Sequence, residues 1–241
     1  MVSKVNILAL AAHPDDVELA CSGILLKHKS QGKKTAVIDF TQGQLGSRGN
    51  AELRIEEARQ AASILGLTER INLGWEDGFF EETEENLRKL IAAIRYFRPE
   101  VVLCNAPHDR HPDHGRAGKL AARACFLSGL AKIETTYNGH PQQQWRPQSV
   151  FHYIQDYWIE PDIVVDITNE FEVKMKSIRA FSSQFYNPLS PEQVETPISS
   201  KDFMAFVESR ARSMGRLIGT TYAEGLVKDR AIGVDDLLVL K

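Results

Sequence analysis

The feature that most restricts how this chain can fold is its alternation of short apolar runs with longer helical stretches. Asn6 to Ala12 (NILALAA), Thr35 to Thr41 (TAVIDFT), Ile71 to Leu73, Val101 to Asn105 (VVLCN), Val150 to Gln155 (VFHYIQ) and Asp162 to Ile167 (DIVVDI) read as strands. Unbroken apolar runs of this kind suit strands covered on both faces. Helical patterns lie between them. Asp15 to Ser30 is closed by Gly32, Ala51 to Leu65 by Gly66 and Glu84 to Arg98 by Pro99, while Pro112 to Leu127 opens with proline in its first turn. This order predicts an α/β fold, Rossmann-like, with a mostly parallel sheet and helices on both faces. A length of 241 residues suits a single domain over 1–241 with a full core.

Composition narrows the function classes. The formal net charge is -3, so there is no basic excess of the kind a nucleic-acid partner calls for. No stretch approaches the roughly 18 apolar residues of a membrane span. The apolar start is too short for a secretory signal and lacks its cleavage site. Cys21, Cys104 and Cys125 are an odd set without a CxxC pair, which points to a reducing compartment and a cytoplasmic protein. Tyr137 to Pro147 and Tyr186 to Ser199 read as Pro- and Gln-rich loops. They either cover a site or simply connect elements.

Ligands of open α/β sheets bind outside the carboxyl ends of the strands. Two segments place metal-competent residues there. His13-Pro14-Asp15-Asp16-Val17-Glu18 follows the first strand, and His108-Asp109-Arg110-His111-Pro112-Asp113-His114 follows the strand ending at Asn105. In each, proline suits a first helical turn and the acids sit where the helix dipole favours them. Capping accounts for one acid, but not for a histidine and two acids at one strand exit. Four of the seven histidines fall in these segments; His28, His140 and His152 read as ordinary surface or core residues.

Two histidines and a carboxylate form a zinc set that leaves a position for water. The expected ligands of one Zn²⁺ per chain are His13, Asp16 and His114, though Fe²⁺ or another divalent ion could fill such a site. Zinc would acidify a bound water, and Asp15 would take its proton during attack on a carbonyl. His111, if protonated, would stabilise the oxyanion or protonate the leaving amine. Asp113 is expected to orient His111.

His-Pro-Asp-Asp after strand one, with His-Pro-Asp-His after a later strand, resembles the LmbE-like (PIG-L) zinc deacetylases. The resemblance extends over nearly the whole chain. It takes in Gly43-Gln44-Leu45-Gly46-Ser47-Arg48-Gly49, Glu52-Leu53-Arg54 and Tyr222-Ala223-Glu224-Gly225. It implies removal of acetyl from an N-acetylglucosamine conjugate. Asp15 to Glu18 and Asp109 to His114 look most like the bacillithiol-biosynthesis branch, which acts on N-acetylglucosaminyl malate. Carried over, the ligands are again His13, Asp16 and His114, with Asp15 the base and His111 an electrostatic partner. Arg54 resembles the arginine that holds the sugar, and Arg110 the one near the malate carboxylates. The family often assembles, which implies a homo-oligomer. Its loop tyrosine has no clear counterpart, since Ser200 to Phe206 offers Phe203 and no tyrosine; Tyr186 is a nearby alternative.

Arg48, Arg54 and Arg110 all fall in segments that face the expected site, and arginine suits bidentate carboxylate binding. Ion pairing is the alternative, with Glu18 and Glu57 as partners for Arg54. Two other functions compete. A metal-dependent phosphoesterase would need more bridging carboxylates than these segments obviously supply. A sugar- or nucleotide-binding module could use the loop of Gly43, Gly46 and Gly49, but its spacing is GxxGxxG and it follows the second strand.

Overall fold

A computed structural model describes residues 2–188 and 194–240. Among the described residues there are nine strands: β1 (Ile7–Ala11), β2 (Thr35–Thr41), β3 (Glu69–Trp75), β4 (Val101–Cys104), β5 (Thr136–Tyr137), β6 (His140–Pro141), β7 (Ser149–Tyr153), β8 (Ile163–Asp166) and β9 (Ala223–Lys228). The main sheet runs β3-β2-β1-β4-β7-β9-β8. The pairs β1/β2, β2/β3, β1/β4 and β4/β7 are parallel, and β9 runs against both of its neighbours. The helices are α1 (Asp16–Ala20), α2 (Ser22–Ser30), α3 (Ala51–Leu65), α4 (Glu84–Phe97), α5 (Pro112–Ser128), α6 (Phe171–Arg179) and α7 (Phe203–Leu217). The expected mostly parallel sheet between helical layers is present. None of these helices is long and apolar enough to cross a membrane.

The two-residue period of a strand explains why both sheet faces are covered. On β1, Leu8 and Leu10 enter one core with Leu90 and Ile94 of α4 and Leu120 of α5. Ile7, Ala9 and Ala11 enter the other, against Val17, Ile24, Ala61, Ile178 and Val207 of α1, α2, α3, α6 and α7.

The expected helix from Asp15 to Ser30 is broken at Cys21, where φ is -144°. A break in a buried helix exposes carbonyls on one side and N–H groups on the other. A buried ion pair satisfies both. Lys174 Nζ donates to Glu18 O (3.0 Å) and Leu19 O (2.8 Å) and lies 2.7 Å from Glu224. Glu224 in turn accepts the N–H groups of Gly23 (3.0 Å) and Ile24 (2.7 Å). A second buried cluster anchors α1 to the sheet: Arg70 grips Asp39 at 2.7 and 2.9 Å and reaches Glu18 at 2.6 Å.

Of the expected loop from Tyr137 to Pro147, the first residues form the β5–β6 hairpin, and 142–147 are irregular. Of the expected loop from Tyr186 to Ser199, 189–193 lie outside the described residues. The sequence reading assigns no element after Ile167, where the structure has α6, α7 and β9. In β9 (AEGLVK) a glutamate and a glycine interrupt the apolar pattern.

α5 lies close against the end of β4. A Cβ on Gly118 would stand 2.6 Å from Asn105 O and 3.2 Å from both Ala106 O and His152 Nδ1. Gly118→Ala is therefore expected to push α5 away from the strand end and destabilise the protein by about 1–3 kcal/mol. A lowered denaturation midpoint at unchanged m-value checks this.

Candidate metal centre

The order of the strands determines where a site can form. The chain passes from β1 outward to β2 and β3, then returns to β4 on the other side of β1. The loops leaving β1 and β4 diverge, and a crevice opens at the carboxyl ends of these strands. Both histidine-containing segments leave from these two strands. Asn105, fully buried just past β4, ties the strand ends together. Its Oδ1 accepts the Ala12 N–H (2.9 Å), and its Nδ2 donates to Asp16 Oδ2 (2.9 Å) and Gln155 Oε1 (3.0 Å). Asp16 Oδ2 also accepts the His13 N–H at 2.9 Å, and Oδ1 accepts from Gln155 Nε2 at 3.0 Å.

Around that carboxylate the two imidazoles converge. His114 Nε2 is 3.1 Å from Asp16 Oδ1, and His13 Nδ1 is 3.7 Å from Asp16 Oδ2. Each ring presents its other nitrogen to a carboxylate. His114 Nδ1 lies 2.5 Å from Asp109, and His13 Nε2 lies 3.0 Å from Asp77 and 3.4 Å from Asp113. Asp109 is itself held by the N–H groups of Asp156 (3.0 Å) and Tyr157 (2.8 Å), and Asp77 by that of Leu45 (2.9 Å). Burial opposes charge on the histidines, but the surrounding carboxylates outweigh it. Hydrogen bonds to Asp113 and Asp77, with the charge of Asp16, raise His13 to about 10. Asp16 and Asp109 raise His114 to about 9. Burial also opposes ionisation of Asp16, yet His114 and His13 hold it far below the carboxylate range.

This donor set fits a divalent cation. Nδ1 of His13 and Nε2 of His114 each lie beside the Asp16 carboxylate, and each imidazole has a carboxylate behind it, the arrangement that orients metal-bound histidines. Among the described residues, two donor groups have atoms all within 4.8 Å of one another, His13, His111 and His114, and His13, Asp77 and Asp113; Asp16 is in neither. In the latter, Asp113 already accepts the Gly78 N–H and pairs with Arg116 at 2.9 Å. A cation on that side of His13 would face the guanidinium.

A pocket of about 360 Å³, within the small-molecule range, is lined by His13, Asp15, Asp16, His111 and His114, with Arg54, Arg110 and Arg210. Asp15 is buried and has a φ of 117°, a strained conformation for a residue with a side chain. Burial, opposed by Arg54, raises its pKa to about 7. The partners of Arg54 are Asp15 (3.1 Å) and Pro14 O (2.5 Å), not Glu18 or Glu57. Glu18 belongs to Arg70, and Glu57 accepts from Ser182 and Ser183. Arg110 pairs with Asp156 at 2.7 Å near the surface.

Three expectations are corrected. Asp113 directs its carboxylate at His13, Gly78 and Arg116 rather than orienting His111. The contact between Asp113 and His111 is instead a backbone one, the Asp113 N–H donating to His111 Nδ1 at 3.3 Å. For His111, burial and the charges of His13 and His114 lower the pKa, against the protonated role expected of it. In the neutral ring, Nδ1 accepting from the Asp113 N–H leaves the proton on Nε2 as a donor. Arg48 is buried and donates to Ser183 O and Val194 O, both at 2.8 Å, so it ties these two residues together and is not among the residues that line the pocket. No tyrosine lines the pocket among the described residues; Phe203 does, and Tyr186 is exposed.

The sequence reading missed Asp77, Gln155 and Arg210, and it gave Asn105 and Asp109 no role. Asp109 had a signal, an acid five residues before a candidate ligand. Asp77 and Gln155 had none, since only the fold brings them in.

The PIG-L family model, described as GlcNAc-PI de-N-acetylase, matches residues 8–125. The diacetylchitobiose deacetylase of Thermococcus kodakarensis is 28% identical, over 92% of this chain and 82% of its own. A probable N-acetyl-alpha-D-glucosaminyl L-malate deacetylase of Bacillus cereus is 27% identical, over 82% of this chain and 90% of its own. Among solved structures, the conserved protein TT1542 from Thermus thermophilus superposes with a TM-score of 0.83 at 33% identity, covering 96% of this chain and 98% of that one.

The shifted histidines set a pH dependence. Folded values of about 10 and 9 exceed the ordinary 6.5. Their stabilisation of the metal-free protein is complete below about pH 6.5 and is lost as pH climbs through 9 to 10. Urea midpoints of chelator-treated protein are expected to be lower at pH 9.5 than at pH 6.5. Added Zn²⁺ should stabilise more at the higher pH, because the ligands must shed protons to bind it. Asn105→Asp places an acceptor against Asp16 Oδ2 and Gln155 Oε1. Competition with a chromogenic chelator should show zinc affinity falling by about 10–100-fold.

Proposed function

The chain belongs to the PIG-L (LmbE-like) family, and from that membership and the site geometry we propose that it is a zinc-dependent hydrolase removing acetyl from an N-acetylglucosamine conjugate, N-acetylglucosaminyl malate in bacillithiol biosynthesis. One observation carries the reading: His13 and His114, each backed by a carboxylate, turn their remaining nitrogens toward Asp16, and Asp15 stands beside them in the same pocket. His13, Asp16 and His114 would hold one ion per chain; the donor set also suits Fe²⁺. Bound there, the ion would supply Lewis acidity, acidifying water and polarising an amide carbonyl.

The side chains of the protein supply the rest. With its pKa near 7, Asp15 can accept a proton from the attacking water at neutral pH and return it to the leaving amine. Arg54 holds the Asp15 carboxylate in place, and its position in the pocket wall suits a contact with the sugar. His111, neutral and protonated on Nε2, can donate to the oxygen that gains charge during attack. Arg110, near the surface, suits the malate end. The bacillithiol branch is supported by the Bacillus cereus relative. We place the protein in the cytoplasm as a homo-oligomer acting on a small molecule, with no nucleic-acid or membrane partner.

Incubation with N-acetylglucosaminyl malate, N-acetylglucosamine and N,N'-diacetylchitobiose, with and without chelator, should release free amine and acetate, fastest from the malate conjugate. Equal rates on all three would remove the bacillithiol assignment. Two metal ions per chain by elemental analysis, with no amine released, would favour a phosphoesterase instead. Asp15→Asn is expected to keep its metal and lose about 10²–10⁴ of turnover.

A further inference from the structure

α7 presents one stripe to the core, formed by Phe203, Val207, Ala211 and Met214, which all pack inward. Arg210 lies three residues after Val207 and four before Met214, so helical geometry puts it in the middle of that stripe. A core position is thus occupied by a guanidinium. It lines the pocket together with Leu19, Gln155, Ile198 and Phe203.

The three arginines of this pocket differ in their partners. Arg54 has Asp15 and Arg110 has Asp156. Among the described residues Arg210 has no carboxylate within ion-pair distance. Its contacts are a hydrogen bond to Leu19 O at 3.3 Å and the Phe206 ring at 5.5 Å. The acids whose charge reaches it are Asp156, Asp109 and Glu224. Each is committed elsewhere, to Arg110, to His114 and to Lys174. Burial accordingly lowers the Arg210 pKa. Arg210 is half-buried, and a cation partly withdrawn from water without a counter-charge gains when an anion arrives to pair with it.

We propose that Arg210 receives an anionic oxygen group, a carboxylate or a phosphate, on the aglycone of the substrate, and so selects charged conjugates over neutral ones. The inference rests on the deacetylase reading of the same pocket. Leu19, which Arg210 touches, lies one helical turn along α1 from Asp15 and Asp16, roughly 5 Å of rise. The anion would therefore sit about one sugar substituent away from the reacting acetamide.

Titration calorimetry of the metal-loaded protein with L-malate, inorganic phosphate and neutral N-acetylglucosamine tests this without turnover. Arg210→Gln keeps a donor for Leu19 O and should weaken malate binding about tenfold or more. Arg210→Lys should retain part of it, and N-acetylglucosamine should bind all three proteins within about twofold. Phosphate binding more tightly than malate would identify a phosphorylated aglycone. In turnover, Arg210→Gln should raise KM for N-acetylglucosaminyl malate about tenfold while leaving kcat and the hydrolysis of N,N'-diacetylchitobiose within about twofold. Equal anion binding by wild type and Arg210→Gln would overturn the proposal, as would no anion binding by wild type. A parallel loss for the neutral sugar would reduce Arg210 to a support of α7. If wild type binds malate through Arg210 but hydrolyses no acetamide, the deacetylase reading fails and the anion site stands.

Discussion

The site depends first on the buried side chain of Asn105. An amide in that position must satisfy an acceptor and two donor hydrogens, and here each has a partner: Ala12 and Asp16 in the segment leaving β1, and Gln155 after β7. A buried amide is costly if any of these bonds is lost. The parallel register of β1, β4 and β7 is therefore coupled to the direction of the Asp16 carboxylate, and cores on both sheet faces keep that register.

From Asp16 outward, charge is arranged in shells of alternating sign. The central carboxylate is surrounded by the imidazoles of His13 and His114, and these by Asp77, Asp113 and Asp109. The outermost carboxylates end on backbone N–H groups of Leu45, Gly78, Asp156 and Tyr157. The loops that shape the pocket are thus hydrogen-bonded to the groups that orient the imidazoles. A shift of the 156–157 backbone reaches His114 through the single side chain of Asp109.

Much of this was legible in the sequence. The runs at Asn6 to Ala12 and Val101 to Asn105 are apolar on both alternating faces because both faces are covered, so their periodicity was direct evidence of a two-sided sheet. The histidine segments stood out because His, Pro and acids rarely gather at a strand exit for capping alone. What could not be read was long-range pairing. Nothing local marks Asp77 as the partner of His13, 64 residues away, or Glu224 as the cap of a helix break 201 residues earlier. Arg48, Arg54 and Arg110 looked alike as residues facing a site, and only the fold assigns one to a loop brace and two to the pocket. Arg210 did leave a signal, an arginine inside an apolar helical stripe, but the stripe went unread because no element was assigned there.

Asp15 carries a side chain at a backbone angle that normally suits glycine. Glycine there would relax the turn between β1 and α1 and make the scaffold easier to fold, at the loss of the carboxylate. Thermal robustness and chemical competence thus pull in opposite directions at a single codon. A related chain with glycine at this point would be recognisable as a scaffold kept for binding after its chemistry was given up.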